Sequence, residues 1–340
     1  MAVEGPAAEH RGGAVTALPS LAALLVGAAF GYGAQRGAFC MNSGMRSALV
    51  GEWTKLKALG LAVAVQLLVL PVVFATGLAQ PAGLPLRPVA ATAGGLLFGA
   101  SMRWAGGCAA GAWYKLGSGD LGALLVVLGM ALGATATETG PLVTARVSLQ
   151  EMVPAFAYGA APFALSFICG VVLLAALARA LDGRAGGWSW RRTGLWIGVS
   201  AALVWPVSAA AGRQFGLAVM TGTTGLLASV SGRGFSAWDV LLVLGIPIGG
   251  WLAARRAGSA RLDAPSAPLL LKRLAGGLGL GIGASLAGGC TVGHGLTGLA
   301  LLAPASVVVM TSIFAGSSVA ELGARRLRAR QRLPHPSASR

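Results

Sequence analysis

Charge is scarce in this 340-residue sequence, and negative charge is scarcer still. Only 11% of its residues are Asp, Glu, Lys or Arg, against roughly 25% in an average soluble domain. Acids number 10 and histidines 3. So little charge excludes an ordinary soluble surface. Glu52, Asp120, Asp239 and Glu321 fall near the ends of apolar runs, which leaves no acidic proton relay inside them. A Walker loop, a Gly-x-Ser-x-Gly elbow and a paired-acid motif are all missing. Those absences disfavour a hydrolase or an ATP-driven pump. The chain is too apolar for disorder, and its glycines show no three-residue period, which excludes collagen.

What the sequence does have is apolar length and glycine. Hydrophobic residues make up 55% and Gly accounts for 53 positions; mean hydropathy is +0.74. Nine stretches are long enough to cross a bilayer, given about 20 residues per span. They are Leu18–Gln35, Ala58–Ala79, Pro88–Trp104, Asp120–Thr137, Pro154–Leu181, Thr193–Ala210, Trp238–Ala254, Leu274–Ala287 and Leu302–Gly323. Leu274–Ala287 is short and Gly-rich, and is expected to extend into the segment that follows. No cleavable secretory signal is read at the N-terminus. With the N-terminus outside, all but Arg11, Arg87, Arg146, Arg213 and Arg233 of the 26 Lys and Arg fall on the inner side. That is a strong positive-inside bias, so the net charge of +16 speaks of topology and of contact with anionic lipid rather than of nucleic acid. The expected organisation is a polar outside segment 1–17, a first half 18–181, an inverted second half 193–323 and a basic cytoplasmic tail 324–340, in a multi-pass protein of the plasma or inner membrane.

Four Gly-rich stretches interrupt this pattern: Gly31–Arg46, Gly99–Gly119, Gly212–Thr224 and Gly283–Gly298. Each is too short to span alone, so each must be buried in protein or line a cavity. The second and fourth share Gly-Gly-Cys-x-x-Gly, at Gly106-Gly107-Cys108 and Gly288-Gly289-Cys290. The first and third share a Gly/Arg/Phe character, with Met220-Thr221 standing roughly where the first has Cys40. On this topology the first two enter from the inside and the last two from the outside. Such an inverted repeat places a substrate site near the midplane.

Three of the four cysteines, Cys40, Cys108 and Cys290, lie in these stretches, while Cys169 sits within a span and is read as packing. Thiols are polarizable and carry no fixed negative charge, which suits an anion with sulfur at its end. The paired glycines, Gly107 and Gly289 among them, permit sharp turns that free backbone N–H groups for an anion. Arg36, Arg103, Lys115 and Arg213 are either interface anchors or anion contacts; Arg213, on the cation-poor face, is the best candidate contact. His294, four residues after Cys290, invites a metal reading, but two ligands are a weak signal. Trp53, Trp104, Trp113, Trp188, Trp190 and Trp238 read mostly as interface anchors.

On the segments Gln35–Cys40, Gly106–Gly111, Gly212–Gly216 and Gly288–Gly293, the chain resembles the YeeE/YedE family of membrane transporters of thiosulfate and other sulfur species. The resemblance covers residues 18–323. It implies an all-α fold of about nine transmembrane helices and four short re-entrant helices, arranged as an hourglass. It also implies uptake of thiosulfate or a related sulfur anion through a constriction lined by Cys40, Cys108 and Cys290, with no cofactor and no covalent change. A separate TusA-like sulfur-carrier protein is the implied partner. Two alternatives stand beside this: a membrane thiol redox or sulfurtransfer enzyme, and a carrier of selenium or soft-metal species.

Overall fold

A computed structural model describes residues 17–81, 83–156, 161–180 and 187–331. The outside segment 1–17 therefore lies almost wholly outside the described residues, as do the last residues of the basic tail. Among the described residues the chain is helical, with only two isolated β-bridges. The helices are α1 (Ala17–Arg36), α2 (Met41–Ala48), α3 (Thr54–Ala75), α4 (Pro88–Ala105), α5 (Ala109–Ser118), α6 (Leu121–Glu138), α7 (Val143–Glu151), α8 (Phe163–Ala178), α9 (Trp190–Ala209), α10 (Met220–Val230), α11 (Ala237–Arg256) and α12 (Ala267–Ala287). A π-helical turn, Gly293–Gly298, and α13 (Pro304–Gln331) complete the chain.

Each expected apolar stretch contains a long helix, and each interrupted stretch carries a short one. Five helices (α3, α6, α11, α12 and α13) are long and apolar enough to cross a membrane by length and composition. Large apolar side chains cover the outer surface. On α8 alone Phe163, Ile168, Val171 and Val172 are exposed, a face that suits lipid rather than water. Two boundaries differ from expectation. Helix α12 does not extend beyond Ala287, because Gly288 caps it in the left-handed conformation; it begins earlier instead, at Ala267. Helix α13 continues through the basic tail to Gln331. Helix α7 is unforeseen: it is short, polar and free of buried residues, so it has no apolar signature.

Small residues set the packing. A Cβ on Gly283 would lie 2.7 Å from the Phe98 nitrogen, so α4 and α12 can touch only through glycine, as in other membrane bundles. These close contacts also fix helix direction. Gly27 meets Leu242 and Gly31 meets Ile246, so α1 and α11 run parallel. Gly194 meets Ala58 and Gly198 meets Ala62, so α3 and α9 do too. Gly277 meets Val126 and Gly281 meets Met130, while Gly95 meets Ser312 and Gly99 meets Ser317; α6–α12 and α4–α13 are therefore also parallel. By contrast, Gly276 meets Ala105 while Gly283 meets Phe98, and Gly37 meets Thr193 while Gly33 meets Trp196. Helices α4 and α12, and likewise α1 and α9, run antiparallel.

These pairings obey one exchange: α1 for α9, α2 for α10, α3 for α11, α4 for α12, α5 for the π turn and α6 for α13. Each major helix contact has its counterpart under it. Helix α8 stands outside the exchange and packs on α3, where Gly170 meets Leu67 and Gly60 meets Leu177 in antiparallel sense.

Candidate functional site

The short helices meet at their N-terminal ends. Cys40 caps α2 and Cys108 caps α5, both in extended backbone. Their sulfurs lie 3.8 Å apart, and both are buried. The backbone amides of Ser43 and Cys108 approach the Cys40 sulfur, and those of Gly111 and Met41 approach Cys108. Gly111 presses against both thiols; a Cβ there would lie 3.0 Å from the Cys40 sulfur. Tyr114, the residue after Trp113, is buried beside Cys40. Lys115 Nζ donates to the Gly106 carbonyl at 2.8 Å, and Lys55 Nζ to Ser43 Oγ at 2.6 Å. Two cations thus flank the thiol pair, and helix N-termini point at it. Such a field favours negative charge.

Cys290 lies apart from that pair. The amides of Val292, Gly293 and Val219 approach its sulfur. Val219 caps α10, so it, rather than Met220-Thr221, stands where the exchange would place Cys40. One thiol pair on one side is therefore matched by a thiol and a valine on the other. Between the two sides, Trp113 Nε1 donates to Thr223 Oγ1 at 3.0 Å, tying α5 to α10. Trp113 is 3% exposed; it is part of the centre and not an interface anchor. Tyr114 and Thr223 also escaped sequence reasoning, since neither residue type stands out on an apolar helix.

A cavity of about 680 Å³ opens above Cys290. Its lining includes Arg213, Gly289, Cys290 and His294. Cys40, Cys108 and Gly107 lie outside it, in the thiol-pair cluster; Lys115 Nζ approaches Gly107. Within each glycine pair the first residue makes the sharp turn: Gly106 and Gly288 hold φ of 68° and 78°, while Gly107 and Gly289 do not take positive values. The guanidinium of Arg213 is fully engaged. It pairs with Asp239 through Nη2–Oδ1 at 2.8 Å and Nε–Oδ2 at 3.1 Å, and Nη1 donates to the carbonyls of Phe215 and Gly216. Arg103 pairs with Glu321. Both nitrogens of His294 are taken, by Ser306 Oγ at 3.0 Å and the Ala287 carbonyl at 3.2 Å. Among the described residues no group of three His, Cys, Asp or Glu could hold a metal. Cys169 packs partly buried against the core.

Comparison with known proteins decides the family. A family profile described as "Sulphur transport" matches residues 36–319. The chain belongs to this sulphur-transport family. The match runs from just before Cys40 to the middle of α13, so it takes in three interrupted segments whole and the Cys40-bearing part of the first. Among curated sulphur-transport relatives, the thiosulfate transporter TsuA of Spirochaeta thermophila is 32% identical over 305 residues, covering 83% of this chain and 92% of that protein. The thiosulfate transporter TsuA of Escherichia coli strain K12 is 30% identical over 309 residues, covering 83% and 88%. The sulphur-transport family is one of transporters, not enzymes, and the apolar helices agree with a multi-pass membrane protein.

Proposed function

We propose that this protein takes up thiosulfate across the plasma or inner membrane, past Cys290 and then past the Cys40–Cys108 pair. In this reading the N-terminus is outside and the C-terminus cytoplasmic. The halves 18–181 and 193–323 form an inverted repeat, and α8 supplies the extra crossing that reverses the second half. The observation that carries the reading is the placement of the three motif thiols. Cys40 and Cys108 sit at helix N-termini, and Cys290 lies at the cavity just before the π turn, with the Trp113–Thr223 contact joining α5 to α10. The names of the two relatives support the substrate. An anion is attracted by the N-terminal amides, and thiols meet its terminal sulfur through S–H donors without adding charge. Arg213 lines the entrance and holds α11 to the third interrupted segment. A TusA-like carrier would dock at the cytoplasmic face, its thiol taking the sulfane sulfur of the delivered thiosulfate as a persulfide while sulfite leaves.

The test is radiolabelled thiosulfate uptake by cells lacking other sulfur sources. Cys40→Ala, Cys108→Ala and Cys290→Ala should each lower uptake at least tenfold, while Cys169→Ala stays within twofold of wild type. Normal uptake by all three would overturn the reading, as would uptake of sulfate but not thiosulfate.

One observation favours a second reading. Two thiols 3.8 Å apart could work as a dithiol–disulfide couple, passing two electrons and two protons to a disulfide-bearing sulfur substrate. That reading requires Cys40 and Cys108 to cycle through a disulfide. Each turnover would then need an external dithiol reductant to restore both thiols, so sustained uptake with no reductant present would exclude it.

A further inference from the structure

We propose that Arg146 of α7 and Arg233 of the α10–α11 loop form an oxyanion-capture site at the mouth of the cavity above Cys290. The site would take the oxygen end of a small divalent sulfur oxyanion. The inference rests on the sulfur-anion reading above and adds where the anion is first held.

Three arginines line this cavity: Arg146, Arg213 and Arg233. They differ in what they already bind. Asp239 cancels the charge of Arg213. Among the described residues Arg233 has only neutral hydroxyl partners, Ser231 Oγ at 3.0 Å and Thr139 Oγ1 at 2.5 Å. Arg146 Nε is buried and has no partner among them. A buried donor without a partner costs about 1–3 kcal/mol, more when charged. An oxyanion in the cavity would supply the counter-charge that Arg146 and Arg233 lack, and a guanidinium fork matches two oxygens of one ligand.

The equivalent place on the other side of the exchange shows why these cations are free. Gly133 of α6 packs on Leu278, and Gly316 of α13 packs on Leu96. Five residues beyond each glycine comes an acid, Glu138 or Glu321. Glu321 is held by Arg46, Arg103 and Arg325. Glu138, which lines the cavity, accepts only from Ser285 Oγ at 2.9 Å among the described residues. Counted from the helix-ending glycines Gly106 and Gly288, Ser285 occupies the position of Arg103. A hydroxyl therefore satisfies the acid on the cavity side, and the nearby arginines remain available to a ligand. Capture by oxygens does not distinguish sulfate from thiosulfate; that distinction falls to the thiols further in.

The test combines equilibrium binding to the purified protein by titration calorimetry with uptake in proteoliposomes. Arg146→Gln should weaken both thiosulfate and sulfate binding at least fivefold and raise the thiosulfate KM equally, with maximal rate within twofold. The effect should shrink at high ionic strength. Arg146→Lys, which keeps the charge but not the fork, should lose less affinity than Arg146→Gln for both anions and guards against misfolding. Arg233→Gln should act in the same direction. Wild-type affinity in Arg146→Gln would overturn the capture site, and so would a loss confined to thiosulfate. If the wild type neither binds nor carries thiosulfate, the transport reading fails separately, and the sulfate arm still decides the capture site.

Discussion

The two sides of this molecule are built from the same parts and used differently. On the thiol-pair side, the acid Glu321 is 5% exposed and locked by three arginines. Two cysteines face each other there, and no lining residue of the large cavity comes from that cluster. On the cavity side the matching acid, Glu138, has one hydroxyl partner, a valine replaces one cysteine, and two arginines lack a counter-charge among the described residues. The first side balances its buried charges within the protein; on the second, the proposed capture site gives an anion that task. The two sets of helices related by the exchange thus share their packing, while a few differences (Arg103 against Ser285, Cys40 against Val219) set the two ends apart.

The largest expected effect breaks the comparison at the acids. Glu321→Gln leaves Arg46, Arg103 and Arg325 without their common partner and should destabilise the protein by about 3 kcal/mol. Glu138→Gln loses one neutral hydrogen bond and should cost no more than about 1 kcal/mol. Thermal unfolding of the purified protein in detergent reads both; equal losses would show that the two acids are equivalent. Next come the turn glycines. Gly106→Ala should cost about 2–3 kcal/mol, because a methyl group there overlaps the Arg273 guanidinium and breaks its bond to the Ala105 carbonyl. Gly288→Ala meets nothing within 4 Å and should cost only the backbone strain, about 1 kcal/mol. The same unfolding measurement would expose a reversed order. The smallest change in stability, under about 1 kcal/mol, is expected for Val219→Cys. It should instead create a second thiol pair. With mild oxidant, mass spectrometry should find the introduced thiol joined to Cys290 by a disulfide, in a yield comparable to Cys40–Cys108. No such link would mean that Val219 is not the counterpart of Cys40.

Much of this fold is legible in the chain itself, because helices in a membrane are specified by local apolarity. Every expected stretch, from Leu18–Gln35 to Leu302–Gly323, contains its helix. The interrupted segments are legible for a related reason: all four are rich in glycine, and in two of them Gly-Gly-Cys ends a helix at Gly106 or Gly288. The placement of Trp113 was not legible. Tryptophan near the end of an apolar run usually anchors to the interface; its burial and its bond to Thr223 of α10 show otherwise, as burial does for Trp188, Trp190 and Trp238. Helix α7 was hidden by its polar sequence, although it carries Arg146. The engagement of Arg213 by Asp239 was equally hidden, since the two are far apart along the chain.

The sequence alone determined the membrane class, the interrupted segments and the three thiols that they carry, because composition, glycine and cysteine act locally. Tertiary structure decided which thiols meet and which arginines are already spent. It also decided that corresponding helices run antiparallel. Those facts depend on contacts between residues well separated along the chain, such as Cys40–Cys108, Trp113–Thr223 and Arg103–Glu321, which no local pattern records.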